Sequence, residues 1–366
     1  MSFRTIPLYP GDMYDTACRL ASEHAPAAAT ADASPAWRQM LELGWQGVLV
    51  AEAAGGVGAT LQDLAAIVEG TGRAGLTVPL ADRCGVAPVA LAAADSEAAV
   101  ALLGAVAAGT ASVCPVLSAG SDGPGRAGAA RLAADGSLHG LLGAADLSEP
   151  ATHLLFSARD QGGEAALVLL PFDRVAAAAR RYTGADGRQF ADITLDGIAL
   201  GPESVLLRGR PAATAAVAAC HAGALLGCVR VVGAIAAMIE LTIDYLNTRE
   251  QFGAALSSFQ VLRHRVVEMY VLYENTAGLV RRLVEQAHET GFDGYPRDLA
   301  AARLYVGTVC RTVAEGVIQL HGGMGMTWEM LAARLGMQIL GDSQRYGDPA
   351  ECLDWLTAGS LAAAAA

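Results

Sequence analysis

Two stretches of this chain concentrate glycines with polar and basic side chains. Gln319–Arg334 reads Q-L-H-G-G-M-G-M-T-W-E-M-L-A-A-R. Three glycines in four positions, Gly322, Gly323 and Gly325, interrupt an apolar-periodic run there. Glycine accepts left-handed backbone and lets another molecule approach the main chain. An elbow of bare backbone amides beside Gln319 and His321 can receive a phosphate or a cofactor edge. Taken alone, the glycines also fit a plain helix–helix turn. The second stretch, Tyr245–Gln260, reads Y-L-N-T-R-E-Q-F-G-A-A-L-S-S-F-Q. It brings Arg249, whose guanidinium presents a fork of donors, together with Gln251, Phe252 and Gln260. Solvation of helix ends is the plainer role for Arg249 and Gln319.

Long helices must position both stretches. Leu304–Leu320 has helical spacing, and a second periodic run resumes near Trp328. From Ala212 to about Trp355 the helical period holds over long segments, broken at Thr248–Ser258 and Gly291–Pro296. That pattern predicts an antiparallel four-helix bundle over 208–358. Upstream the pattern differs. Ser112–Leu117, Leu138–Leu142, His153–Ala158, Ala165–Leu170 and Phe190–Leu195 are short apolar runs between Gly, Asp and Pro residues. They predict a small middle β domain over 111–207. Residues 1–110 read as all-α, with helices over Met13–Glu23 and Trp37–Leu43, a linker over Ala25–Pro35, and Ala-rich helical patterns over 79–108 ending at Gly109. Residues 359–366 read as a disordered tail.

Composition narrows the function. The net charge of −12 argues against nucleic acid or an anionic membrane as partner. All 25 basic side chains counted as Lys or Arg are Arg, which removes a P-loop lysine and a pyridoxal Schiff base together. Seven cysteines without a C-x-x-C pair point to reduced thiols in the cytoplasm and to no zinc site. The N-terminus lacks the apolar core of a signal peptide. Ala212–Leu241 is apolar enough to suggest a membrane span, but its small residues and its His221, Arg230 and Glu240 favour a helix inside a bundle or interface.

With both stretches and this layout in view, the chain resembles the acyl-CoA dehydrogenase family. Arg249-x-Gln251-Phe252-Gly253 followed by Phe259-Gln260 is similar to the family's R-x-x-F-G … Q signature. Gln319-x-x-Gly322-Gly323-x-Gly325-Met326-x-x-Glu329-x4-Arg334 is similar to its second signature. Trp37-x3-Leu41-x-Leu43-Gly44-Trp45-x-Gly47 and Gly55-Gly56-x-Gly58 resemble its N-terminal helical domain. There Ala51-Glu52 replaces the usual Pro-Glu. The resemblance implies a mainly α fold with a central small β-barrel domain. It also implies FAD as cofactor and α,β-dehydrogenation of an acyl-CoA thioester: a Glu takes the α proton while the β hydride passes to the flavin.

That Glu has no counterpart. The family's E-G-T element falls on Tyr346-Gly347-Asp348, and the alternative base position, on the helix before R-x-x-F-G, falls on Gly223. Asp342 and Asp348, the nearest acids, read as solvated or capping. His264 and His321 read as ordinary polar helix residues. Of the family's flavin-ring contacts, Pro115 and Val116 replace the Thr and Glu of T-E-P, although Gly120-Ser121-Asp122 keep its G-S-D, and the W-I-T strand has no counterpart in Leu138–Ser148. The Thr and Gln after the base align with Asp348 and Ala350. The family's contacts to the ADP end of FAD are kept, as Arg249, Gln251, Phe252, Gln260, Gln319, Gly322 and Gly323. The resemblance therefore implies a base-lacking subunit, of the kind paired with a base-bearing homologue in α2β2 steroid side-chain dehydrogenases. The other readings are a self-sufficient flavoenzyme with a different base or reaction, and a flavin-free scaffold or CoA-ester binder.

Overall fold

The structure, a computed structural model, describes residues 3–25, 34–117, 130–294 and 296–364. Helices α1 (Asp12–Glu23), α2 (Ser34–Glu42), α3 (Leu61–Gly72), α4 (Ala87–Ala92) and α5 (Glu97–Ala107) form the N-terminal part. A capping box starts α3: the Thr60 hydroxyl accepts from Asp63 N while Asp63 accepts from Thr60 N. The glycine loop before it is a packing necessity. A Cβ on Gly56 would fall 1.7 Å from the Val50 carbonyl oxygen.

The middle of the chain forms one sheet from β1 (Val113–Val116), β2 (Ala130–Leu132), β3 (Ser137–Asp146), β4 (His153–Asp160), β5 (Ala165–Pro171), β6 (Ala179–Thr183), β7 (Gln189–Ala199) and β8 (Val205–Arg208). Its order is β6-β7-β3-β2-β4-β5-β8, with β1 pairing in parallel with β4. The path is open: among the described residues no ladder joins β6 to β8, so the expected barrel is a sheet domain without observed closure. All five strand expectations coincide with observed strands. The retained G-S-D at Gly120-Ser121-Asp122 lies outside the described residues.

The rest is helical: α6 (Gly209–Thr248), α7 (Gln260–Thr290), α8 (Pro296–His321), α9 (Leu331–Gln344) and α10 (Pro349–Ala364), with a small hairpin of β9 (Glu250–Gln251) and β10 (Ala254–Ala255) between α6 and α7. The backbone of α10 thus continues into the stretch expected as a tail. Helix α6 is long and apolar enough to cross a membrane by length and composition alone, but its apolar window is mostly buried. Its Val229, Val232, Ile235, Met238 and Ile239 are fully buried, in one core shared with α1–α3 and α7–α9. A second core fills one face of the sheet, and a third joins α4, α5 and the start of α6 to its other face.

The segment before α1 is strapped across this core by two buried carboxylates. Glu240 accepts from Arg4, Arg73 and the backbone and hydroxyl of Thr5. Glu69, fully buried, accepts from Leu8 N at 2.8 Å, while its Oε1 has no hydrogen-bond partner. Burial pushes the Glu69 carboxyl up from 4.5 to about 7, against the downward pull of the Leu8 N–H and Arg73. The folded chain therefore holds this proton more tightly than the unfolded one, and stability falls as pH rises from about 4.5 to about 7, by at most ~3 kcal/mol. Glu69→Gln should flatten the decline in Tm over that window, read by thermal melts at several pH values. An unchanged slope would remove Glu69 as its source.

Candidate functional site

The two signatures meet at one end of the bundle. Helix α6 ends at Thr248, and Arg249 leaves it in extended conformation, its N–H still donating to the Tyr245 carbonyl. The hairpin then turns back, and the Leu256 N–H closes on the Arg249 carbonyl at 2.8 Å. Four residues before Arg249, the Tyr245 hydroxyl donates to the His321 carbonyl at 3.2 Å, and the two rings lie 4.6 Å apart. That contact ties the end of α6 to the end of α8, where Gln319, Gly322 and Gly323 sit. Gln260 opens α7 at the same end. His321 is buried, its ring held by Tyr245 and by the Val317 carbonyl, and so differs from the plain polar residue expected.

The three glycines of the elbow have two jobs. A Cβ on Gly325 would lie 2.6 Å from the Ile318 carbonyl oxygen, so this glycine is required by packing. At Gly322 and Gly323 an added Cβ would meet no atom within 4 Å. Both are exposed and present open backbone, and Gly322 has φ +58°. Arg334 fixes the elbow from behind, donating to the carbonyls of Trp328 and Glu329 at 2.7 and 3.3 Å. Arg249, Gln251, Gln260 and Gln319 are exposed around it. Phe252 stands out in the turn at φ +56° and 91% exposed. A bulky residue held at positive φ with its ring in water is costly on both counts. Met326, at 81% exposure, and half-exposed Met324 and Trp328 extend this apolar rim. The cluster is a set of polar forks and open amides inside an apolar border, groups that can hydrogen-bond an anion.

The positions aligned with the catalytic Glu lie elsewhere, and they have closed on each other. Gly223 on α6 and Tyr346 after α9 line one cavity, together with Asp82, Arg188, Arg230 and Asp342. The space remaining among them is about 30 Å³, room for a water or two. The Tyr346 hydroxyl donates to Asp82 Oδ1 at 2.6 Å. Burial, then the negative charge of Asp82, holds that phenol well above its usual range. Arg345 bridges Asp82 and Asp146. Deeper in, Asp342 receives both Arg188 and Arg230. It is buried rather than the solvated loop acid the sequence suggested. Burial raises its carboxyl, but the two guanidinium groups outweigh that and lower it to about 2. Asp348, by contrast, does cap α10, accepting from Glu351 N at 2.8 Å. The Arg–Asp network gave no sign of itself in the sequence, since its members lie far apart in the chain. Among the described residues no cluster of three or more His, Cys, Asp or Glu could hold a metal.

Comparison with known proteins gives the family. The profile of the acyl-CoA dehydrogenase N-terminal domain matches residues 12–110, and that of the acyl-CoA dehydrogenase C-terminal domain matches residues 213–344. The chain belongs to the acyl-CoA dehydrogenase family. It is similar to the acyl-CoA dehydrogenase IpdE2 of Mycobacterium tuberculosis, 34% identical over 130 residues, which are 36% of this chain and 39% of that protein. Among solved structures, a variant of the Tcur3481-Tcur3483 steroid ACAD superposes with a TM-score of 0.84 at 24% identity, covering 97% of this chain and 98% of that one. The ChsE4-ChsE5 complex from Mycobacterium tuberculosis gives 0.81 at 19% identity, covering 96% and 98%. The FAD complex of PigA gives 0.80 at 18% identity, covering 98% and 99%. At these identities the structural likenesses establish the fold.

Proposed function

We propose that this acyl-CoA dehydrogenase chain is the base-lacking subunit of a heteromeric enzyme. It completes the FAD site of a homologous subunit that carries the catalytic Glu, in an α2β2 assembly. The observation that carries this reading is the contrast between its two half-sites. The ADP-side cluster at Arg249, Gln251, Phe252, Gln260, Gln319, Gly322 and Gly323 is exposed and open. The pocket holding both base positions is filled by the chain's own Tyr346.

When bound, FAD supplies the hydride acceptor for α,β-dehydrogenation of an acyl-CoA thioester. This chain's residues would grip the pyrophosphate through Arg249 and the Gly322–Gly323 amides, and would hold the ADP end against the partner through Phe252. Proton removal belongs to the partner, because no carboxylate stands at position 223, 346 or 347. A steroid-type CoA ester as substrate is supported by the likeness to the Tcur3481-Tcur3483 steroid ACAD. A cytoplasmic location is supported by the seven free cysteines.

The isolated chain, supplied with FAD, an acyl-CoA and an artificial electron acceptor, should show no turnover above a base-less background. Loss of a general base alone commonly costs ~10²–10⁴-fold. Turnover at ordinary enzyme rates, on the order of 1–10³ s⁻¹, would favour a self-sufficient flavoenzyme and overturn the proposal.

A further inference from the structure

Gly223 and Tyr346 face each other so closely that position 223 has no room for a side chain while the ring is in place. A Cβ on Gly223 would lie 2.6 Å from Cε2, 2.7 Å from Cδ2 and 2.8 Å from Cζ of the Tyr346 ring, well inside carbon–carbon contact distance. The ring therefore occupies the space that any side chain on this turn of α6 would need. Its hydroxyl is anchored on Asp82 at 2.6 Å, and the Arg345 guanidinium lies 5.4 Å from the ring centroid.

The loop that delivers the ring is pinned from below. Arg303, buried, donates to the carbonyls of Asp342 at 3.3 Å, Ser343 at 3.1 Å and Gly347 at 2.9 Å. It thereby caps the last turn of α9 and fixes the backbone on both sides of Tyr346. Tyr346 itself sits at φ +56°, followed by Gly347 at φ +101°. A bulky residue persists in left-handed backbone only where its surroundings over-determine it. Here the pinned loop, the Asp82 anchor and the notch at Gly223 supply that determination. Leu76, Val78 and Gly227 line the same cavity as Tyr346.

We infer that Tyr346 is a built-in stopper: its ring closes the chain's own pocket, and the space the ring fills is a latent site for a phenol-sized aromatic whose hydroxyl meets Asp82. The two base positions are in this view a single coupled unit. A side chain at 223 is compatible with an open pocket, and the Gly223 notch is compatible with a closed one. This coupling holds whether or not the chain shares its flavin with a partner.

Thermal melts of the full chain test it. An alanine for glycine inside a helix ordinarily stabilises, yet Gly223→Ala in the wild type should lower Tm, because the added methyl meets the ring. In a Tyr346→Gly background the same substitution should raise Tm or leave it unmoved, so that the double-mutant cycle shows strong coupling. Tyr346→Gly, which also relaxes the positive φ, should gain several degrees of Tm in saturating p-cresol and less in toluene, which has no hydroxyl for Asp82. The wild type should respond to neither. A rise in Tm for Gly223→Ala in the wild type would overturn the inference even if Tyr346→Gly failed to fold. So would p-cresol stabilising the wild type as much as the Tyr346→Gly variant, or failing to stabilise a folded Tyr346→Gly.

Discussion

Arg249→Ala in the heteromeric complex should strip FAD from it, although on this account the flavin ring and the base belong to the other subunit. Arg249 is exposed, and its structural bonds are made by its backbone: N–H to Tyr245, carbonyl from Leu256. Truncating the side chain leaves α6 and the hairpin intact while removing the forked cation from a desolvated pyrophosphate. Losing one partner of such a buried charge contact costs ~2–5 kcal/mol, or roughly 30-fold and upward in flavin affinity. The expected result is a colourless or flavin-depleted complex of unchanged assembly, read by absorbance per mole of protein. Full flavin content in Arg249→Ala would show that the cluster at this end of the bundle is helix-end solvation only. Gly322→Val tests the same surface differently, because it covers the open amides and strains a residue at φ +58°.

The second large effect is on stability. Asp342 is the only carboxylate that receives Arg188 and Arg230 together among the described residues. Both guanidinium groups are nearly out of water, at 4% and 12% side-chain exposure. Asp342→Ala leaves Arg230 buried without its carboxylate and Arg188 with Asp186 alone, and breaking a buried pair in this way costs ~3–5 kcal/mol. Chemical denaturation should show that loss, because α9, α6 and the sheet domain are then joined less firmly at the closed pocket. The pH sign follows from the lowered carboxyl: the stabilisation is present above about 4 and is lost as pH falls toward about 2. A change within the noise of a surface substitution, on the order of 0.5 kcal/mol, would mean that the pair only offsets its own desolvation.

Much of the scaffold was legible because periodicity is a local property. Met13–Glu23, Leu304–Leu320 and the five short apolar runs of the middle region each carry their own signal, and each became the expected element. Strand β6 did not announce itself. It is Ala-Arg-Arg-Tyr-Thr on an exposed sheet edge, so no buried face imposes an alternation. Strand β2 is three residues long, shorter than any usable window. The exposed cluster at this end of the bundle was legible through its paired glycines and its Arg, since open backbone demands specific residue types. The closed pocket was only half legible. Absence of a Glu at 346 and 223 could be read directly, but that these positions touch could not. Nor could the sequence place Asp342 between an arginine 154 positions away and another 112 away. Charge pairing at that range depends on how α6, α9 and the sheet pack, which no local pattern encodes.

The central claim is that this chain offers one working half of a flavin site and has closed the other. The direct test is the flavin count of the native complex, purified with its base-bearing partner and denatured to release FAD for absorbance against total protein. The account predicts two FAD per α2β2 assembly, all lost together when this chain's Arg249 is removed. Four FAD per assembly would show that the pocket behind Tyr346 holds a flavin ring after all, and would contradict it.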